Sequence, residues 1–223
     1  MPKQAKSSSP SSRPVSGTDS GSAGFAGLAA SVDNPPFNLA NHFLIAMPCM
    51  SDSVFNRSVV YLCEHHAGGA LGVIINKPTD VSVDTLFERL ELRLEINVQD
   101  GLRPQSPVMF GGPVQGDRGF VLHPPGNAYS SSLTISDQVA LTTSRDVLQA
   151  FAEGNGPHRM LISLGCAGWD SGQLEQEILR NDWLTVRADP AILFETPVEQ
   201  RFDAAMHLLG IDPGMLSGEA GHA

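Results

Sequence analysis

Arg145 stands in the stretch Thr142-Thr143-Ser144-Arg145-Asp146, at the start of an apolar-periodic run. A cation in the first turn of a helix opposes the helix dipole at a cost of about 0.3–1 kcal/mol, so its placement asks for a reason. Hydroxyls, free helix-start N–H groups and a guanidinium together make an anion site. The competing reading pairs Arg145 with an acid such as Asp146 or Glu64.

A second polar group closes "GGALGVIINKP", Gly68–Pro78. Its glycines and lysine have the composition of a phosphate loop but the wrong order. A P-loop places its glycines after a strand and its lysine at the start of a helix. Here the glycines precede the apolar strand, and Lys77 is followed by Pro78. The dinucleotide-binding fingerprint fails on the same order. What remains is Asn76-Lys77 at a strand end, either facing a shared mouth or stopping an edge strand. Gly111-Gly112-Pro113 admits two readings as well: close approach of a ligand to the backbone, or a bulge or tight turn.

Other reactive types are placed less favourably. Cys166 in "LGCAGWD" is read at a strand–turn–helix junction, where a helix start lowers a thiol pKa. However, the glycine spacing is one short of a nucleophile elbow, and a small packing residue is the preferred reading. His65 and His66 are adjacent and so face opposite sides of a strand, which makes no metal set. Glu64 and His65 could do acid–base work, but no nucleophile accompanies them in sequence. Trp169 and Trp183 are read as core anchors rather than ligand-stacking rings. No metal or cofactor is expected.

The elements that would carry these groups can be read from periodicity. "HFLIAMP" (42–48) and "RSVVYLCEH" (57–65) are apolar or β-branched and predict strands. "ALGVIINKP" is the return arm of a hairpin spanning Val59 to Lys77. Ser82 caps a helix bearing Val83, Leu86 and Leu90, and 93–105 reads as loop. "PVMFGGPV" and "RGFVLH" predict strands, and "LTISDQVALTTS" a hairpin turning near Asp137-Gln138. Ser144–Gly154 predicts a helix with Thr143 and Asp146 at capping-box spacing and Gly154 at its end. "HRMLISLG" predicts a strand, 165–168 a turn, and "SGQLEQEILRNDW" a helix capped by Asp170 with Gln173 at the box position. A short strand at Ile192–Phe194, a helix near Val198–Leu209 and a loop tail close the chain. Strands dominate early and hairpins recur, which predicts an α+β fold with a largely antiparallel sheet.

Charge and composition bound the function classes. The chain has 223 residues and 41% apolar content, enough for one domain with a core. Of its 14 basic and 24 acidic residues, three and two lie in the first 36, leaving 11 against 22 and a net of −11. That balance is a poor match for nucleic-acid phosphate. Three cysteines, an odd and sparse set, suit a reducing compartment, the cytoplasm. No stretch approaches the length of a membrane span. Residues 1–36 are rich in Ser, Gly, Pro and Ala and are predicted to be a disordered extension. Their basic, Ser-rich start has features of targeting peptides, but "AGFAGLAAS" is only weakly apolar. The single predicted domain is therefore 37–223.

Taken together, "NLANHFLIAMP", "RSVVYLCEH", "GALGVIINKP", "GGPV", "DRGFVLH", "TTSRDVL", "GQLEQEILRNDWL" and the terminal "GEAGHA" resemble the AlgH/YqgE family of bacterial proteins from about Asn38 to Ala223. The resemblance implies an α+β fold in which a strongly bent, bifurcated, mainly antiparallel sheet forms a pseudo-barrel with helices packed on it. It implies no agreed catalytic set; some members are labelled transcriptional regulators. Asn76, Lys77, Gly111, Gly112, Arg118, Thr143, Ser144 and Arg145 match the family pattern position by position, whereas Cys166 stands where tyrosine is common.

Three strand or helix ends thus carry polar groups in an otherwise acidic chain. They lead to the expectation of one pocket built from Asn76-Lys77, Gly111-Gly112, Arg118 and Thr143-Ser144-Arg145 for a small anionic ligand or an acidic peptide. Three function classes follow. One is a cytoplasmic binding or regulatory protein. Another is an enzyme using that pocket. The last is a transcriptional regulator, which the charge directs to a protein partner rather than to DNA.

Overall fold

The computed structural model describes residues 38–48, 50, 52–93 and 103–211, all within the unit Val32–Ala223. The extension 1–36, Cys49, most of the 93–105 loop and the tail after 211 lie outside the described residues.

Alternation builds the first layer. In β1 (His42–Ala46) and β2 (Val59–His66), side chains point alternately to the two faces, and both faces are apolar. Phe43, Ile45, Tyr61 and Cys63 enter one cluster, while Leu44, Ala46, Val60 and Leu62 enter another. The near-continuous apolar runs are therefore the signature of strands covered on both sides. β2 turns into β3 (Gly69–Ile74) as an antiparallel hairpin with a register shift between Leu62 and Glu64.

The chain continues through β4 (Pro78–Ser82), α1 (Val83–Arg89), β5 (Pro107–Phe110), β6 (Val114–His123), β7 (Ser132–Thr134), β8 (Ala140–Thr142) and α2 (Asp146–Ala152). It then passes β9 (Leu161–Asp170), α3 (Gln173–Leu179), β10 (Trp183–Arg187), α4 (Pro190–Phe194) and α5 (Arg201–Leu208). The sheet runs β10-β1-β2-β3-β9-β6-β8-β7, with β4 paired to β5 and β5 to β9. The pairing is antiparallel except for β5 with β9.

β9 is where the sheet divides. Its first half pairs with β6 on one side and β5 on the other. Its second half pairs with β3. The Ile74 N–H donates to the Gly111 carbonyl at 2.8 Å, tying β3 to the end of β5. The result is a strongly curled half-barrel in a mixed α+β fold. Its interior holds Phe43, Tyr61, Val73, Phe120 and Leu122 and is closed by α4 and α5 through Leu193, Ala205 and Met206. Leu174 of α3 covers one outer face, over β1, β2 and β3. Phe87 of α1 and Val147 and Leu148 of α2 cover the other, against Val108, Val121 and Ile162.

Ser82 caps α1 as its type predicts, accepting from the Thr85 N–H at 3.2 Å. Other expectations are corrected. Residues 165–168 are not a turn: β9 runs straight through them, because β3 and β6 supply ladder partners on both sides. Ile192–Phe194 is helical, since Asp189 caps Ala191 N–H and Pro190 takes the first helical position. Thr143 does not cap α2; Arg145 holds the cap position and makes no side-chain cap bond. The α3 box is half formed, with Gln173 Oε1 accepting from Asp170 N–H at 3.0 Å and Gly172 at the cap position. No helix among the described residues is long and apolar enough to cross a membrane.

Candidate functional site

Asn76 and Lys77 lie just past β3, before β4 begins at Pro78. Asn76 Oδ1 accepts from the Val59 N–H and its Nδ2 donates to the Arg57 carbonyl, both at 2.8 Å. The side-chain amide thus stands in for one more rung of the β2–β3 ladder. Lys77 is half-buried, and its ammonium donates to the Val54 carbonyl. Burial lowers its pKa, with Asp52 opposing. The Lys77 main chain accepts from Phe110 N–H at 2.8 Å, so this pair sits beside the end of β5.

Gly111 and Gly112 occupy the division of the sheet. A Cβ on Gly111 would lie 2.1 Å from the Gly165 carbonyl oxygen, and one on Gly112 would lie 2.3 Å from the Cys166 carbonyl carbon. The close approach that their type permits is thus made by β9 of this chain. They join the Asn76–Lys77 group through the bonds of Ile74 and Phe110.

The other group gathers where β6 and β8 meet α2. Arg118 Nη2 donates to Thr143 Oγ1 at 2.9 Å and Nη1 to Gln115 Oε1 at 3.3 Å. Its guanidinium also lies 5.7 Å from the Phe120 ring centroid. The Thr143 hydroxyl meets that of Ser131 at 2.8 Å. Ser144 Oγ accepts from Ser131 N–H and donates to Asp146 Oδ1. Asp146 Oδ2 accepts from the Ser130 N–H and hydroxyl at 2.7 and 2.8 Å. Arg145 is exposed and reaches across to the Leu90 carbonyl at the end of α1. The Asp146 carboxylate also accepts from the Val147 N–H, so this chain's own anion is the one held at the start of α2.

Asp146 is a direct reporter of that network. Slight desolvation raises its pKa, but the bonds from Ser144, Ser130 and Val147 outweigh it and hold the carboxyl at about 2. A folded pKa below the ordinary 3.8 means stability present above the unfolded value and lost as pH falls through about 2. A carboxyl-carbon NMR titration is expected to give a midpoint near 2 in the native chain and a higher one in Ser144→Ala. A native midpoint at the ordinary value would mean that the network is not made in solution.

The structure therefore distributes the eight predicted residues over two groups, which share no hydrogen bond or ion pair. Arg118, Thr143, Ser144 and Arg145 lie together. Asn76, Lys77, Gly111 and Gly112 lie at the joint of β3, β5 and β9. β9 and β6 stand between β3 and β8 in the sheet order.

Cys166 is the packing residue its preferred reading expects, but its placement at a turn is corrected. It lies within β9, buried and in the core, and burial pushes its thiol up to about 11 against the pull of Arg118. Among the described residues no group of three or more His, Cys, Asp or Glu could hold a metal ion.

Sequence reasoning did not reach several buried polar contacts. His65 Nδ1 accepts from Leu39 N–H at 3.0 Å, so Nε2 carries the proton and donates to Glu175 Oε1 at 3.0 Å. His123 bridges the Pro124 carbonyl and the Thr142 hydroxyl, each at 2.8 Å. Burial lowers its pKa, with the Pro124 bond opposing. Glu177 and Arg201, treated below, complete the set. The partners of His65, His123 and Arg201 are distant in sequence or paired through main chain, and those of Glu177, six and eight residues away, fall outside helical spacing.

Comparison with known proteins follows the same lines. A family model described as AlgH-like matches residues 43–214. A UPF0301 protein of Ralstonia nicotianae is 57% identical over 188 residues, covering 84% of this chain and 97% of the relative. One from Ralstonia pickettii is 59% identical over 186 residues, covering 83% and 96%. The solution structure of the AlgH protein from Pseudomonas aeruginosa has a TM-score of 0.68 and 47% identity, covering 86% of this chain and 100% of its own.

Proposed function

The chain belongs to the AlgH-like family, and from that premise we propose that it is a cytoplasmic regulatory protein that binds a small anionic ligand through Arg118, Thr143, Ser144 and Arg145. One observation carries the reading. Arg118 is half-buried in a chain with twice as many acids as bases after residue 36, yet no carboxylate of the described residues lies within ion-pair distance of it. Its donors go instead to a hydroxyl and an amide oxygen, partners that an incoming anion outcompetes because charge-assisted bonds are about twice as strong as neutral ones. Arg145, bonded among the described residues only to the Leu90 carbonyl, is a second cation, next in sequence to Thr143 and Ser144.

Asn76, Lys77, Gly111 and Gly112 serve this reading as the joint that fixes β3 to β5 and β9. Binding is preferred to catalysis because the candidate nucleophile, Cys166, is buried with its thiol pushed up to about 11. Cys63 and Cys166 are both free thiols, as a reducing compartment keeps them.

Thermal melting against phosphate, ATP, citrate and an oligoglutamate peptide tests the proposal, with Arg118→Ala and Arg145→Ala alongside. At a hundredfold excess over its dissociation constant a true ligand adds about 2.7 kcal/mol, a rise of roughly 5–10 °C for a chain this long. The rise is expected to vanish in Arg118→Ala and to shrink in Arg145→Ala. No rise with any probe, or one that persists in Arg118→Ala, defeats the reading.

A further inference from the structure

α5 begins inside the protein on a charged residue. Arg201 is only 8% exposed. Its Nε donates to the Thr196 carbonyl at 3.1 Å and its Nη1 to the Ile75 carbonyl at 2.5 Å. No carboxylate neutralises it: the ion pairs among the described residues are Arg159–Glu195 and Arg180–Asp182. Nη2 has no acceptor among the described residues, and it is not fully enclosed, since Ser58 Oγ is the one enclosed side-chain polar atom among them that lacks a partner. Arg201 stands in the wall of a cavity of about 330 Å³ between the sheet and the α4–α5 segment.

A buried cation facing an open cavity without a counter-ion is an expensive arrangement. Carbonyl dipoles satisfy two of its donors but leave its charge unpaired. Consistent with this, desolvation draws the guanidinium down to about 10, with Glu199 opposing. The rest of the cavity says what would complete it. Met109 of β5, Leu161 of β9, and Leu193 and Phe194 of α4 supply apolar side chains to its wall. At the rim Arg159 already pairs with Glu195, so the cavity's charges leave one positive charge uncompensated. Ser106 supplies the only other polar side chain. A phosphate dianion would be under-coordinated there, whereas one carboxylate matches one guanidinium in charge and geometry. The volume lies at the small end of ligand sites.

We propose that this cavity binds a small aliphatic monocarboxylate, with the carboxylate on Arg201 Nη2 and the tail against Met109, Leu161 and Leu193. The site is separate from the face around Arg118, and neither depends on the other.

Thermal melting of the full chain with acetate, isovalerate, hexanoate, hexanamide and inorganic phosphate tests it. Isovalerate or hexanoate is expected to raise the melting temperature by roughly 5–10 °C at a hundredfold excess over its dissociation constant. Hexanamide and phosphate are expected to leave it unchanged. Arg201→Met also loses the Ile75 and Thr196 bonds and can fail to fold, so Val198→Phe is the second variant. Val198 lines the cavity, and the larger ring occupies it with Arg201 intact, so affinity is expected to fall more than tenfold. Arg118→Ala should leave the response whole. The proposal is overturned if no carboxylate binds, if hexanamide acts as well as hexanoate, or if Val198→Phe binds as tightly as the native chain.

Discussion

Gly112→Ala is expected to unfold the protein at ordinary temperatures or to lower its melting point by more than 10 °C. Gly112 has φ of +148°, and a Cβ there would lie 2.3 Å from both the carbonyl carbon and oxygen of Cys166 and 2.5 Å from the Ala167 nitrogen. All three atoms belong to the main chain of β9, which is held by ladders on both sides and cannot rotate away as a side chain would. Left-handed backbone alone costs a non-glycine residue about 1–2 kcal/mol; forcing two strands apart adds the loss of the packing around them, for a total above about 4 kcal/mol. At roughly 2–4 °C per kcal/mol in a chain of this size, the fall is large. Gly154→Ala separates the two contributions: its φ is +76°, but no atom lies within 4 Å of a Cβ there, so it should lose only the backbone part. Urea melts of both variants decide it, and equal losses would show that the division of the sheet tolerates a methyl group.

That same joint explains which parts of the fold can be read from sequence. Local signals succeed where local physics decides: Ser82 caps α1, Gly154 follows α2 with positive φ, and β2 and β3 pair as one hairpin. They fail where a remote strand decides. Gly165 and Gly168 look like turn residues, but β9 needs glycine at 165 because Gly112 and Val114 press on it. Ile192–Phe194 looks like a buried strand, yet Asp189 and Pro190 start a helix there. Cys166 was placed near a helix start by the false turn, and the straight strand moves it into the core.

The candidate site divides in the same way. Arg145, Ser144 and Thr143 are neighbours in sequence, and their grouping is legible; Arg118 joins them because β6 pairs with β8. Asn76–Lys77 follow β3, which stands on the far side of β9 and β6 in the sheet order, and no periodicity reveals that separation. Arg201 was legible in principle. The buried positions of α5 are Arg201, Phe202, Ala205 and Met206, so the arginine lies four residues before Ala205 on the apolar stripe. A charge on the buried stripe of a helix is a signal for an unmet partner, and hydrophobic periodicity alone passes over it.

Glu177→Ala is expected to cost about 2–5 kcal/mol, because one carboxylate oxygen serves two buried indoles. Trp169 and Trp183 are 7% and 3% exposed, and each donates its Nε1–H to Glu177 Oε2 at 2.8 Å. Their rings meet edge to face at 6.0 Å, with Phe55 at 5.5 Å from Trp183 and 6.4 Å from Trp169. The glutamate thus fastens α3 to β9 and to β10 at once, and alanine would leave two donors unsatisfied at about 1–3 kcal/mol each. Glu177→Gln keeps an oxygen in the same place and gives up only the charge assistance, so it should lose less than half as much. Gln173 can follow this change: its amide now donates to Glu177 Oε1 at 2.9 Å and can turn to accept from the new amide. The two tryptophans are the only ones in the chain, so intrinsic fluorescence reports on this cluster alone. The alanine variant should redden and broaden the emission before global unfolding, while the glutamine variant keeps the native spectrum. If alanine and glutamine lose equal stability with unchanged emission, then the indoles are held by the ring contacts and the carboxylate contributes only its charge.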